Sequence, residues 1–175
     1  MVRIRKFVAN QKLERPYTRI SKYNKLNYVR GGYPHSKLTK FEMGNQKKSY
    51  DTILTLHAER AMNIRHNALE SARMSSNRIL EKTIGSNYFY KMRVYPFHVL
   101  REHALASGAG ADRLSTGMAR PYGKSVSSAA RIKLGQILVE LRLDHSNITL
   151  GREALNRAAC KLPCSCKITV TSVKV

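Results

Sequence analysis

Tyr88-Phe-Tyr-Lys-Met-Arg-Val94 is the stretch that decides the fold. Tyr88, Tyr90, Met92 and Val94 fall on one side of an extended chain, and Lys91 and Arg93 on the other. That two-residue period is the mark of a strand with one buried face. Pro96 breaks or edges the strand, and Phe97-His-Val-Leu-Arg101 predicts a second short one. Residues 102–125 follow, rich in small residues, with Gly108, Gly110, Gly117 and Gly123 among Arg113, Arg120 and Lys124. Ordinary connections run to about 4–6 residues, so this segment reads as a long arm held between two strands. Long loops on a compact scaffold are where function concentrates.

The chain on either side supplies the rest of a domain. Ile53–Ala58 reads as a strand. Apolar or small residues at Ile64, Ala68, Ala72, Ser75 and Ile79 give the stripe of an amphipathic helix over 64–82. Asn63 is its expected N-cap and Gly85 its expected stop. Residues 129–134 and Gln136–Leu143 read as strands, with a bend or bulge at Gly135. A second helix is expected over 149–162, capped by Thr149 or Asn147 and ended by Pro163. Lys167–Val173 predicts a last strand. The sum is an α+β fold: a largely antiparallel sheet with two amphipathic helices packed on one face.

Charge narrows the partners. The 175 residues hold 32 Lys and Arg against 11 Asp and Glu, a net charge of +21. Self-repulsion on that scale calls for a polyanion. No run approaches the roughly 18–20 apolar residues of a spanning helix, and no apolar stretch follows Arg3, Arg5 and Lys6 as a signal peptide would require. No membrane partner is expected, and nucleic acid is the first candidate. Residues 1–50 are the most basic part, with thirteen Lys and Arg against Glu14 and Glu42, interleaved with Tyr17, Tyr23, Tyr28, Tyr33 and Tyr50. Cations neutralise phosphates, and Tyr or Arg planes stack on unpaired bases. The division expected is therefore a basic RNA-binding extension, 1–50, and an α+β domain, 51–175, that carries the arm. Candidate RNA contacts are Arg15, Tyr17, Arg19, Lys22, Tyr28, Arg30, Lys37 and Lys40. To these are added Arg65 and Arg73 on the first helix and Lys91 and Arg93 on the strand.

Catalysis finds no support. Gly123-Lys124-Ser125 resembles the end of a phosphate-binding loop, but the first glycine of that motif would fall at Met118, Pro121 intervenes, and no helix pattern begins at Lys124. His98, His103, Asp112 and Ser115 form no recognisable nucleophile signature; Asp112 and Arg113 read more simply as an ion pair or turn element. Cys160, Cys164 and Cys166 crowd into seven residues, an odd number that suits neither a secreted disulfide framework nor a four-ligand zinc site. They read as partly buried thiols at a helix–strand junction. No catalytic residue, metal or cofactor is expected.

Several separated motifs resemble one family. Arg93-Val-Tyr-Pro-Phe-His-Val-Leu-Arg101, Gly110-Ala-Asp-Arg-Leu-Ser-Thr-Gly-Met118, Gly123-Lys124 and Ala158-Ala-Cys-Lys-Leu-Pro163 look like the universal large-subunit ribosomal protein sixteen family, L-ten-e in archaea and eukaryotes and L-sixteen in bacteria. Arg15-Pro-Tyr-Thr-Arg19, Tyr28-Val-Arg-Gly-Gly32, Phe41-Glu-Met-Gly-Asn45 and the Cys164-x-Cys166 pair resemble its archaeal branch. The resemblance implies a structural, non-catalytic constituent of the large ribosomal subunit in the cytoplasm. It implies binding to ribosomal RNA near the central protuberance, with 5S rRNA and tRNA as further candidate partners beside neighbouring ribosomal proteins. It also implies that the arm points towards the peptidyl-transferase centre and tRNA. Arg101 would lie at the arm's base, with Arg113, Gly117, Arg120 and Lys124 along it. No homo-oligomer is expected. The rival reading is a free RNA-binding module or RNA chaperone outside the ribosome.

Overall fold

The computed structural model describes residues 6–13, 15, 18–19, 21–27, 29, 32–103, 106–115 and 123–172. Eight strands are described: β1 (Glu42–Gly44), β2 (Thr52–Ala58), β3 (Met62–Arg65), β4 (Phe89–Met92), β5 (His98–Glu102), β6 (Lys124–Ile132), β7 (Ile137–Leu143) and β8 (Cys166–Ser172). Three α-helices accompany them: α1 (His66–Ile84), the single turn α2 (Ala111–Leu114) and α3 (Ile148–Ala159). The α+β class and the antiparallel pairing match expectation. The strands, however, divide between two sheets. One has five strands in the order β1-β4-β7-β2-β8, and the other three in the order β3-β6-β5. A corner joins them. Between β2 and β3, and again between β6 and β7, the chain passes from one sheet to the other. Gly135 N donates to the Ala58 carbonyl at 2.8 Å, and Ala58 N to the Gln136 carbonyl at 3.0 Å, holding both bends together.

The alternation of Tyr88–Val94 is realised. Tyr88, Tyr90, Met92 and Val94 are all buried, Lys91 is half-buried and Arg93 is exposed. Leu54 and Leu56 of β2 and Leu141 and Leu143 of β7 are fully buried beside them. Burial raises the phenol of Tyr90, at the centre of this layer, to about 12. Helix α3 lies close on β2 and β7. A Cβ at Gly151 would come within 2.6 Å of Leu143 Cδ1 and 3.2 Å of Leu54 Cδ2, so a side chain here would have to displace buried core leucines. Helix α1 packs against α3 and also touches β3 and β6, so it spans the corner between the sheets.

Three local expectations need correction. Asn63 does not cap α1. It lies in β3, opposite Arg131, because pairing of β3 with β6 extends the chain to Arg65, and the helix starts at His66. Its side-chain amide instead donates to the carbonyls of Asn10 (3.1 Å) and Lys12 (2.9 Å), pinning the N-terminal chain to the domain. Asn147 stands at the N-cap of α3, but its side chain makes no capping bond. The strand expected at 129–134 is longer at its start, since β6 begins at Lys124. The Gly85 stop of α1 is realised, with Gly85 N bonded to the Glu81 carbonyl at 3.2 Å.

Segment 1–50 also contributes to the fold. Leu38 joins the core cluster. Strand β1 adds an edge to the five-stranded sheet, with Glu42 opposite Lys91 and Gly44 opposite Phe89.

Candidate nucleic-acid interface

The arm is the loop of a β-hairpin. Strands β5 and β6 pair antiparallel from His98–Ala129 outward to Arg101–Ser125 and Glu102–Lys124, with a bulge between Leu100 and Arg101. A bulge twists the ladder and re-aims the strands that carry the loop. At the neck, Gly123 has φ +57°, and a Cβ there would lie 3.1 Å from the Glu102 carbonyl carbon and 3.2 Å from Arg101 Cβ. Positive φ and close approach coincide at Gly123, so glycine seals the neck. Within the arm, Ala106 N donates to Ser115 Oγ (3.0 Å) and Ser115 N to the Ala111 carbonyl (3.0 Å), folding the described part around α2. Asp112 and Arg113 are exposed in that turn. Lys124 and Ser125 enter a strand, not a helix, which removes the nucleotide-loop geometry.

The candidate cations fall into two groups. In the first, each cation faces a carboxylate. Arg73 donates to Glu70 twice, Nε–Oε2 at 2.9 Å and Nη2–Oε1 at 2.5 Å, and its Nη1 reaches Met43 Sδ at 3.0 Å. Hydrogen bonding to Glu70 raises the Arg73 pKa still further. Lys91 meets Glu42 at 2.5 Å, and its hydrogen bond holds the Glu42 carboxyl below the usual range. Arg93 lies 3.5 Å from Glu140, a carboxylate that Arg142 holds more tightly at 2.7 Å. Lys48 pairs with Asp144 at 2.7 Å.

In the second group, no carboxylate pairs with the cation among the described residues. Arg15, Lys22, Lys37, Lys40, Arg113 and Lys124 are all exposed and belong to it. Arg19 and Arg101 are exposed, and both take part in intramolecular interactions. Arg65 is half-buried at the end of β3. Tyr17, Tyr28, Arg30, Gly117 and Arg120 lie outside the described residues.

Two features of the site go beyond the residues singled out from the sequence. Lys37 N donates to His66 Nδ1 at 3.0 Å, a second tie between the N-terminal chain and the domain. Burial, then the nearby charges of Lys37 and Arg65, lower the His66 pKa, so the ring stays neutral and accepts this bond. The second feature is an aromatic group at the end of the β4 alternation. Tyr95 is 63% exposed and Phe97 40% exposed, and Phe41 stacks on Tyr95 with centroids 5.5 Å apart and planes 27° apart. Continuing the two-residue period past Val94 would have found Tyr95 and Phe97; Phe41 comes from a distant segment and has no local signal.

The thiols are free. Cys160 is exposed, Cys164 and Cys166 are half-buried, and the latter pair have sulfurs 3.6 Å apart. Among the described residues, no group of three or more His, Cys, Asp or Glu side chains is arranged to hold a metal, and no helix is long and apolar enough to cross a membrane.

An α+β domain that pairs several of its carboxylates with cations while displaying other cations and aromatic rings has the make-up of a nucleic-acid-binding protein. The chain belongs to the family described as Ribosomal protein L16p/L10e, whose model matches residues 15–169. Among its relatives is the large ribosomal subunit protein uL16 of Picrophilus torridus, 48% identical over 160 residues, 90% of each chain. The proteins of the same name from Thermoplasma acidophilum and Archaeoglobus fulgidus are 44% and 43% identical, covering 91% of this chain and 92% and 88% of theirs. These relatives are archaeal, as the N-terminal motifs imply.

Proposed function

We propose that this chain is a structural constituent of the large ribosomal subunit. It binds ribosomal RNA and acts by holding RNA in place rather than by chemistry of its own. The observation that carries this reading is the family match, which runs almost the length of the chain and joins relatives named as large-subunit proteins. The charge of +21 and the cations without carboxylate partners support it.

Within that reading the roles divide. Arg15, Arg19, Lys22, Lys37 and Lys40, with Tyr17, Tyr28 and Arg30, contact ribosomal RNA along the N-terminal segment. Arg65 adds to them where the helix begins. Arg73, Lys91 and Arg93 contribute less, because each already faces a carboxylate. The hairpin arm, from Arg101 through Arg113, Gly117, Arg120 and Lys124, reaches from the domain near the central protuberance towards the peptidyl-transferase centre and tRNA.

Sedimentation tests the reading. Tagged protein expressed in an archaeal host should travel with large subunits through moderate salt. A protein that runs only at the top of the gradient would refute it. With isolated RNA, log K should fall with log salt by about 0.7–0.9 for each phosphate neutralised, and a flat response would be equally damaging.

A further inference from the structure

We propose that the exposed ring of Tyr95, backed by the half-buried Phe41, is a platform on which one unpaired RNA base lies, a site that rests on the RNA-binding reading above and makes it specific. Single exposed apolar side chains are ordinary. Here two rings from distant parts of the chain form an offset stack with centroids 5.5 Å apart, Tyr95 63% exposed and Phe41 seated against the core. Phe97, two residues beyond Tyr95, is exposed as well.

The geometry is fixed from beneath. Met92 N donates to the Phe41 carbonyl at 2.8 Å, which locks the segment bearing Phe41 to β4. Val94 and Pro96 are buried on either side of Tyr95, so the ring is carried outward on a rigid base. Phe97 N bonds the Tyr95 carbonyl at 3.0 Å and tightens the turn. A rigid ring loses little freedom when a base covers it, which favours stacking over a mobile side chain.

Charge selects the occupant. Lys40 adjoins Phe41 in the chain, is exposed and faces no carboxylate among the described residues. The nearby acids are already neutralised: Glu42 by Lys91, and Glu140 by both Arg93 and Arg142, which leaves one positive charge in excess. An aromatic surface edged by net positive charge suits a base whose phosphates lie on either side. The base must be unpaired, because a paired base keeps both faces inside the helix.

The test uses the full chain and two synthetic RNAs, a perfect duplex and the same duplex with one bulged 2-aminopurine. The wild-type protein should quench the bulged base. Tyr95→Leu should weaken affinity for the bulged RNA about 5- to 150-fold, the range of one base–aromatic stack, with unchanged affinity for the duplex. Tyr95→Phe should restore the wild-type behaviour. Equal binding of bulged RNA by Tyr95→Leu and wild type would overturn the proposal, as would equal weakening on both RNAs or an unquenched probe. A wild-type dimer in sedimentation equilibrium that Tyr95→Leu dissolves would overturn it too, by making the stack a contact between copies. Failure of the ribosomal reading looks different: no variant would show salt-dependent RNA binding or travel with large subunits.

Discussion

The five-stranded sheet with its helices and the segments that project from it use the same residue types for different ends. On β4, β7 and α1, and just beyond β4, Lys91, Arg142, Arg73 and Arg93 each meet a carboxylate. In the N-terminal segment and the arm, Lys22, Lys37, Lys40, Arg113 and Lys124 are exposed without one among the described residues. Net charge announces a polyanionic partner but does not say which cations serve it. The positions of the few acidic residues do. On the reading proposed above, a carboxylate placed opposite a lysine or arginine assigns that cation to the fold, and its absence leaves the cation for phosphate.

The largest effect that could break this contrast is in the core. Leu141→Ala removes a fully buried side chain between β4 and β2 and should cost about 2–5 kcal/mol in denaturant unfolding, with the salt slope of RNA binding unchanged while the protein is folded. A reduced slope in folded protein would show that core and interface are not separable. Next, Arg73→Gln leaves Glu70 without its partner in a half-buried site, and should lower stability by about 1–3 kcal/mol while altering the salt slope little. Removing residues 106–118 should leave the melting temperature near wild type and the protein still bound to RNA, with the salt slope lowered by about 0.7–0.9 for the loss of Arg113, but impair translation. An unfolded product would show that the arm belongs to the core.

The smallest effect is a pH dependence. The pKa of His66 is lowered from 6.5 by burial and by Lys37 and Arg65, with His35 also nearby. A depressed histidine pKa means that the unfolded chain takes up the proton first. Stability is therefore fully present above about pH 6.5 and declines as pH falls towards the folded value. The decline should be small, because His66 is one residue, and it should vanish in His66→Ala. Urea midpoints measured from about pH 7.5 to 5, a window that brackets the histidine range, would check both.

Much of the fold was legible locally. The alternation of Tyr88–Val94 and the Gly85 stop are short-range signals, and each corresponds to an observed element. The periodicity of α1 marked a helix but misplaced its face: Ile64 lies in β3, and the buried side runs through His66, Leu69, Ala72, Ser76 and Leu80 rather than Ala68, Ser75 and Ile79. The two sheets were not legible, because the corner depends on bonds between Ala58 and Gly135–Gln136, residues far apart in the chain. Strand β3 is only four residues long and shows no alternation, so Asn63 read as a cap when tertiary pairing had already claimed it. At the interface, the sequence identified cations but not their carboxylates. Arg73 and Lys22 look alike until Glu70 is seen 2.5 Å from one of them. The Phe41–Tyr95 stack was hidden for the same reason: half of it comes from another segment.

The central claim is that cations without carboxylate partners bind RNA and paired ones hold the fold. It is tested most directly by the salt dependence of RNA binding in two triple variants. Lys22→Gln/Lys37→Gln/Lys40→Gln should reduce the slope by about 2–3, at roughly 0.7–0.9 for each phosphate no longer neutralised, with the melting temperature unchanged. Arg73→Gln/Lys91→Gln/Arg142→Gln should lower the melting temperature and leave the slope within about 0.9 of wild type, the value of a single phosphate. The reverse pattern, with the slope reduced in the second variant and kept in the first, would contradict the account.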